Sequence, residues 1–208
     1  MFKESISQET KLVLEKISQG KLVDKFYLVG GTALAIQLGH RESIDLDWFS
    51  QDNFSNQEIK FELSKLGNFQ VISESDGTVN GMLDNVKVSF LYYRYKTLFP
   101  LVNFEKIKMA DERDIAAMKI DAVSSRGSKK DFVDIFFLLK KYSLEKIIGF
   151  FEKKYADINY NKLHILKSLV YFAEADNEPI PIMIQDIDWE EVKKDMREKV
   201  NAWLNIKA

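Results

Sequence analysis

Two short blocks of the 208-residue chain hold residue types that could do chemistry together. Asp45 and Asp47 stand one residue apart in Ile44-Asp45-Leu46-Asp47-Trp48-Phe49, which opens by alternating apolar and acidic residues. Alternation with period two reads as a strand, and residues i and i+2 of a strand share a face. Two carboxylates on one face can hold Mg²⁺, an ion that takes few protein carboxylates and completes its shell with substrate phosphates. Such an ion neutralises triphosphate charge and orients an attacking hydroxyl for in-line displacement. The second block is Gly30-Gly31-Thr32-Ala33-Leu34. A Gly-Gly turn lets backbone approach a ligand closely, because no Cβ intervenes. The helix expected after it would present free N–H groups and a positive dipole end to an anion such as a triphosphate. Either block alone is commonplace. Asp186-Ile187-Asp188 repeats the acidic spacing, but there Asp188 precedes a helical run and reads as its N-cap.

The elements needed to position these residues are legible around them. Residues 4–19 read as a helix that Gly20 stops, and Phe26 to Val29 as a buried strand running into the glycines. Thr32 to Leu38 is a short helix ended by Gly39. Asn56 to Leu66 is the next helix. Phe69 to Ser73 and Val86 to Tyr93 read as strands, with turns expected at Asp76-Gly77 and Asn80-Gly81, and a further strand is expected over 102–108. From Asp111 the pattern turns helical. Helices are expected to about Ser125, from Lys130 to Tyr142, from Ser143 to Tyr155, from Asn161 to Ala175 and from Asp188 onward. The order divides the chain into a sheet domain, 1–108, and a helical domain, 109–208.

Single residues on these elements leave alternatives open. Lys119 shares a helical stripe with Ile115 and Ala122. Among apolar neighbours its ammonium needs a phosphate or carboxylate partner, or else it snorkels at a rim. Asp131 falls in the first turn of its helix, where a dipole contact suffices to explain it, and Asp134 follows one turn later. Arg41 could reach a phosphate or orient Asp45 through a two-pronged bond. Ser43 reads as a capping or turn hydroxyl, His40 as a turn residue and His164 as structural. Arg126, Lys129 and Lys130, with Lys140-Lys141 further on, could meet an RNA backbone or form a solvated face. Tyr92, Tyr93 and Tyr95, interleaved with Arg94 and Lys96, could stack bases or pack a rim.

Composition excludes several other classes. The chain has no Cys, which removes disulfides, thiolate metal sites and Cys nucleophiles together, and two His are too few for a zinc site built on several histidines. Thirty basic against 32 acidic residues leave no basic excess for a broad electrostatic grip on nucleic acid. No apolar run approaches the length of a membrane span, and Met1 to Ser5 does not open a signal peptide, so a cytoplasmic protein with no membrane partner is expected.

The run GGTALAIQLGHRESIDLDWF, together with Ala116-Ala117-Met118-Lys119 and Lys130-Asp131-Phe132-Val133-Asp134, resembles the nucleotidyltransferase AbiEii toxin family of type IV toxin–antitoxin (abortive infection) systems. The resemblance covers roughly residues 25–200. It implies an α+β protein: a nucleotidyltransferase-fold mixed sheet with flanking helices, followed by a C-terminal helical bundle. It implies Mg²⁺ as cofactor, a nucleoside triphosphate as substrate and a cognate antitoxin as partner. The acceptor it implies is a hydroxyl, with a tRNA 3′ end or another RNA as candidates. By resemblance, Gly30, Gly31 and Thr32 are the glycine signature, Asp45 and Asp47 the metal pair, Lys119 a phosphate-contacting lysine and Asp131 a later acidic motif. Arg41 joins the nucleotide-binding set. One departure stands out. Many nucleotidyltransferases carry a third carboxylate on a later strand, whereas the corresponding strand here offers Ser89 or Lys87. Either Asp131 supplies that function, or the protein binds nucleotide, RNA or an antitoxin without turnover.

Overall fold

The structure, a computed structural model, describes residues 1–207 and contains two compact units, Met1–Asp111 and a second from Glu112 onward. The first unit opens with helix α1 (Gln8–Ser18), which Ser7 caps by accepting from the Thr10 N–H at 3.1 Å. Strand β1 (Tyr27–Val29) leads directly into α2 (Gly30–Leu38), which ends at Gly39 in the left-handed conformation, φ +63°. Then come β2 (Leu46–Ser50), α3 (Asn56–Leu66), β3 (Phe69–Ser75), β4 (Thr78–Leu83), β5 (Val86–Tyr92), β6 (Val102–Phe104) and β7 (Ile107–Met109).

The seven strands form one mixed sheet in the order β3-β4-β5-β2-β1-β7-β6. β2 pairs antiparallel with β1 and parallel with β5. Alternation decides the two faces. Leu46 and Trp48 of β2, Val88 and Phe90 of β5 and Leu28 of β1 are fully buried on one face, where Trp48 and Phe90 stack with ring centroids 6.1 Å apart. Burying an aromatic pair of this size is a main source of cohesion in a sheet layer. Asp47 and Phe49 fall on the opposite, half-buried face.

Two expectations for this unit are corrected. Asn80-Gly81 is the middle of strand β4 and not a turn. Gly81 is accepted there because the Phe69 ring of the neighbouring strand lies where its Cβ would be, beside an irregularity in pairing between Val71 and Ser73. The segment 102–108 is a hairpin of two short strands, with Glu105 turning at φ +52°.

The second unit is helical: α4 (Glu112–Ser125), α5 (Lys129–Leu139), α6 (Leu144–Lys154), α7 (Lys162–Ser168), α8 (Ala173–Asp176) and α9 (Trp189–Lys207). Its aromatic centre joins Phe132, Phe172 and Trp189, with centroids 4.9 to 6.0 Å apart. The helix expected over 161–175 is broken, and the break lets Phe172 turn into that cluster, 4% exposed. Asp188 caps α9 as expected, accepting from the Glu190 N–H at 3.2 Å. Among the described residues, no helix is long and apolar enough to cross a membrane.

Candidate active site

The glycine turn and the acidic strand meet. Gly30 adopts φ +71°, a conformation L side chains rarely take, at the first position of α2. A Cβ there would stand 2.7 Å from Asp47 Oδ2, so the Asp47 carboxylate lies directly over the turn. The register explains it: Val29, the residue before Gly30, pairs with Asp47 across the β1–β2 ladder. Gly31 has a different tenant. A Cβ on Gly31 would collide with the Arg41 guanidinium and come within 3.3 Å of Ser43 Oγ. The two glycines therefore make room for one carboxylate and one guanidinium. The residue before α2 is Val29, whose apolar side chain provides no cap.

Thr32 is turned inward. It is 1% exposed, and its hydroxyl hydrogen-bonds to the Asp45 carbonyl oxygen and lies 2.8 Å from Ser43 Oγ. Its side chain thus holds the Asp45 backbone. The bond also explains why β2 begins at Leu46 and not at Ile44: the Asp45 carbonyl is taken by a hydroxyl. Arg41 is 3% exposed and donates to its neighbour's carbonyl, Glu42 O, at 3.0 Å. His40 is fully buried.

Asp47 is flanked across the sheet by Val29 on β1 and Ser89 on β5. Of the two candidates on β5, Ser89 is thus the one beside Asp47, 6% exposed, while Lys87 lies one pleat away and is solvent-exposed. Among the described residues, no group of three or more His, Asp or Glu side chains could hold a metal ion. The donor set of Asp45 and Asp47 fits Mg²⁺ nonetheless, since Mg²⁺ commonly takes one or two carboxylates and draws the rest from phosphates and water.

Lys119, Asp131 and Asp134 come together in the second unit. The Lys119 ammonium, 6% exposed, sits 2.8 Å from Asp131 Oδ1 and 2.5 Å from Asp134 Oδ2. Carboxylate pairing is therefore its observed role, and the snorkelling alternative is excluded by burial. Asp131 also receives Arg126 through two nitrogens, at 2.8 and 3.1 Å, and the Ser128 hydroxyl at 2.7 Å. Burial alone would push its carboxyl up, but the Lys119 and Arg126 cations outweigh that and hold it well below the usual carboxylate range. Two cations and a hydroxyl thus engage Asp131, and through its bond to the ammonium it positions Lys119.

The basic cluster is also reassigned. Lys129 is 6% exposed, donates to the Glu178 carbonyl and lies 5.1 Å from the centre of the Trp189 ring, while Arg126 is paired with Asp131. Lys129 is thus a packing residue, whereas the paired Arg126 side chain stays 60% exposed. Tyr93 stacks on Phe49 at 4.5 Å and meets Tyr95 edge-on, the rim arrangement. His164 contacts the Ser124 carbonyl, within its own unit.

Sequence reasoning missed Ser43 as a partner of Thr32, and Ser128 and Arg126 as partners of Asp131. Ser128 stands three residues before Asp131, a spacing at which a helix-capping hydroxyl and a first-turn acid meet, so that signal was available.

Solved structures share this fold. MenT4, the nucleotidyltransferase toxin Rv2826c of Mycobacterium tuberculosis H37Rv, superposes with a TM-score of 0.56 at 12% identity, over 93% of this chain and 84% of that one. JHP933 of Helicobacter pylori gives 0.52 at 15% identity, over 98% of this chain and all of that one. At such identities the likeness establishes a nucleotidyltransferase fold. An uncharacterized protein of Aquifex aeolicus (strain VF5) is 38% identical over 213 residues, covering 96% of this chain and 98% of its own. The family described as nucleotidyl transferase AbiEii toxin, type IV TA system, matches residues 12–206, and the chain belongs to that family.

Proposed function

We propose that the protein is a Mg²⁺-dependent nucleotidyltransferase that moves a nucleoside monophosphate from a nucleoside triphosphate to an acceptor hydroxyl. The observation that carries the reading is the pair of glycines beneath Asp47 and Arg41: Gly30 leaves room for the carboxylate and Gly31 for the guanidinium, at the start of α2. A carboxylate for the metal, a cation for phosphate and a helix N-terminus there suit a triphosphate. In this reading Asp45 and Asp47 hold the metal, whose chemistry is to screen phosphate charge. Gly30, Gly31 and Arg41 hold phosphate, and Thr32 fixes the Asp45 backbone. Family membership supports Lys119 as a phosphate-contacting lysine, and within the second unit Asp131 and Asp134 keep its ammonium in place. The acceptor oxygen forms a bond to the α-phosphorus, the bond from that phosphorus to the bridging oxygen breaks, pyrophosphate leaves and the acceptor proton passes to solvent. A tRNA 3′ end is the acceptor we favour, because it asks for a small footprint on a chain without basic excess. Family membership supports a cognate antitoxin as partner. A cytoplasmic setting supplies both triphosphate and tRNA.

A second reading, binding without turnover, draws on Ser89 in place of an acid beside Asp47. Incubation of the purified protein with each labelled triphosphate, Mg²⁺ and total tRNA, beside Asp45→Asn, separates the two. Label on RNA from wild type alone is expected. Undiminished labelling by a folded Asp45→Asn protein would refute the enzyme reading, and bound but untransferred nucleotide would favour the binding module.

A further inference from the structure

Ser89 gives the site a property that two acidic residues alone do not. It is the residue paired with Asp47 across the parallel β2–β5 ladder, and paired residues on adjacent strands project to the same face about 5 Å apart. The other neighbour of Asp47 is apolar Val29. A third oxygen ligand beside Asp47 from these two strands can therefore come only from Ser89, and it is a neutral hydroxyl. That hydroxyl belongs to a residue 6% exposed and has no hydrogen-bond partner among the described residues. The hydroxyl oxygen itself is not sealed from solvent, so a ligand at the site can reach it and supply that partner. Ligand number points the same way: Asp45 and Asp47 are the carboxylates assigned to the metal, and a second divalent cation would enter with no further carboxylate to meet it.

We propose that Ser89 makes this a one-cation site: one divalent ion is held per bound nucleotide, and the Ser89 hydroxyl contacts substrate where a third carboxylate would otherwise hold a second ion. The proposal rests on the functional reading above. No carboxylate on β5 is then available to take the acceptor proton, and positioning of the hydroxyl carries the step in its place.

The test counts ions without turnover. Mn²⁺ is titrated by electron paramagnetic resonance into full-length protein saturated with an α,β-methylene triphosphate, against nucleotide alone. Wild type and Ser89→Ala are expected to retain one Mn²⁺ per bound nucleotide, and Ser89→Asp two. Two ions on wild type, or one on a folded Ser89→Asp protein, overturn the inference while leaving the functional reading intact. Nucleotide bound by wild type with no ion retained overturns both. The wild-type count decides the matter even where Ser89→Asp does not fold.

Discussion

The Asp47 carboxylate occupies the space that a side chain on Gly30 would need, 2.7 Å from the position of the missing Cβ. Sequence neighbours in different motifs are thus spatial partners, and neither can change without the other. Gly30→Ala would force a residue with a Cβ into φ +71°, at about 1–2 kcal/mol, and push Asp47 aside. A displacement of this kind costs on the order of 10²-fold in a positioned reaction. We expect nucleotide affinity in the presence of Mn²⁺ to fall by a similar factor. Gly149→Ala is the control. It lies inside α6 with nothing within 4 Å of its Cβ position, so it should raise the unfolding midpoint by up to about 1 kcal/mol equivalent. Equal binding by Gly30→Ala and wild type would show that Asp47 is not held by the turn.

Thr32→Val keeps the buried shape and removes the hydroxyl that holds the Asp45 carbonyl. The carbonyl loses a buried partner, worth about 1–3 kcal/mol. Chemical denaturation should show that loss. Calorimetry should show weaker Mn²⁺–nucleotide binding, because Asp45 is freed at its backbone. A variant destabilised but binding normally would make Thr32 a purely structural residue.

Much of this was legible in the residues. The period-two run around Asp45 and Asp47, the glycines after an apolar run and the helical second half each followed from local pattern. What was not legible depended on partners far along the chain. Gly81 looks like a turn residue until Phe69 is known to fill its place, and only pairing between strands selects Ser89 over Lys87 as the neighbour of Asp47. Lys129 looked exposed because charge usually is, yet the Glu178 carbonyl and the Trp189 ring draw it inward. Asp131 was ambiguous for the same reason: its cations lie on α4 and just after it.

Asp131 also predicts a pH dependence. Its folded carboxyl is held below the ordinary value of 3.8. Such a group adds stability that is complete above the unfolded value and is lost as pH falls toward the folded one. Wild type should therefore lose stability on acidification below about pH 4, and Asp131→Asn should show a shallower fall there. At pH 7 that variant leaves Lys119 buried with one carboxylate fewer and should cost about 3 kcal/mol. Arg126→Ala removes a partner of the same carboxylate whose own side chain is 60% exposed, and should cost no more than about 1 kcal/mol. Urea midpoints from pH 2.5 to 7 measure all three. Parallel acid profiles for wild type and Asp131→Asn would remove Asp131 from the account.

Asp114 and Lys154 pose the opposite case, a pair 2.8 Å apart with both side chains wholly buried within the second unit. Burial lowers the lysine's pKa from 10.5, and the Asp114 carboxylate only partly restores it. A lysine lowered in the folded state binds its proton less tightly than in the unfolded chain. The penalty is present at neutral pH and lifts as pH rises toward 10.5. The pair is therefore expected to contribute little net stability, though either member alone is expensive to leave behind. Lys154→Met takes the ammonium away from the buried Asp114 side chain and should cost about 3–5 kcal/mol, while Asp114→Leu combined with Lys154→Met should cost far less or stabilise. Urea denaturation of the single and double variants reads the difference as a coupling energy. If the double variant loses as much as the sum of the singles, the coupling energy is zero and neither residue's cost comes from losing the other.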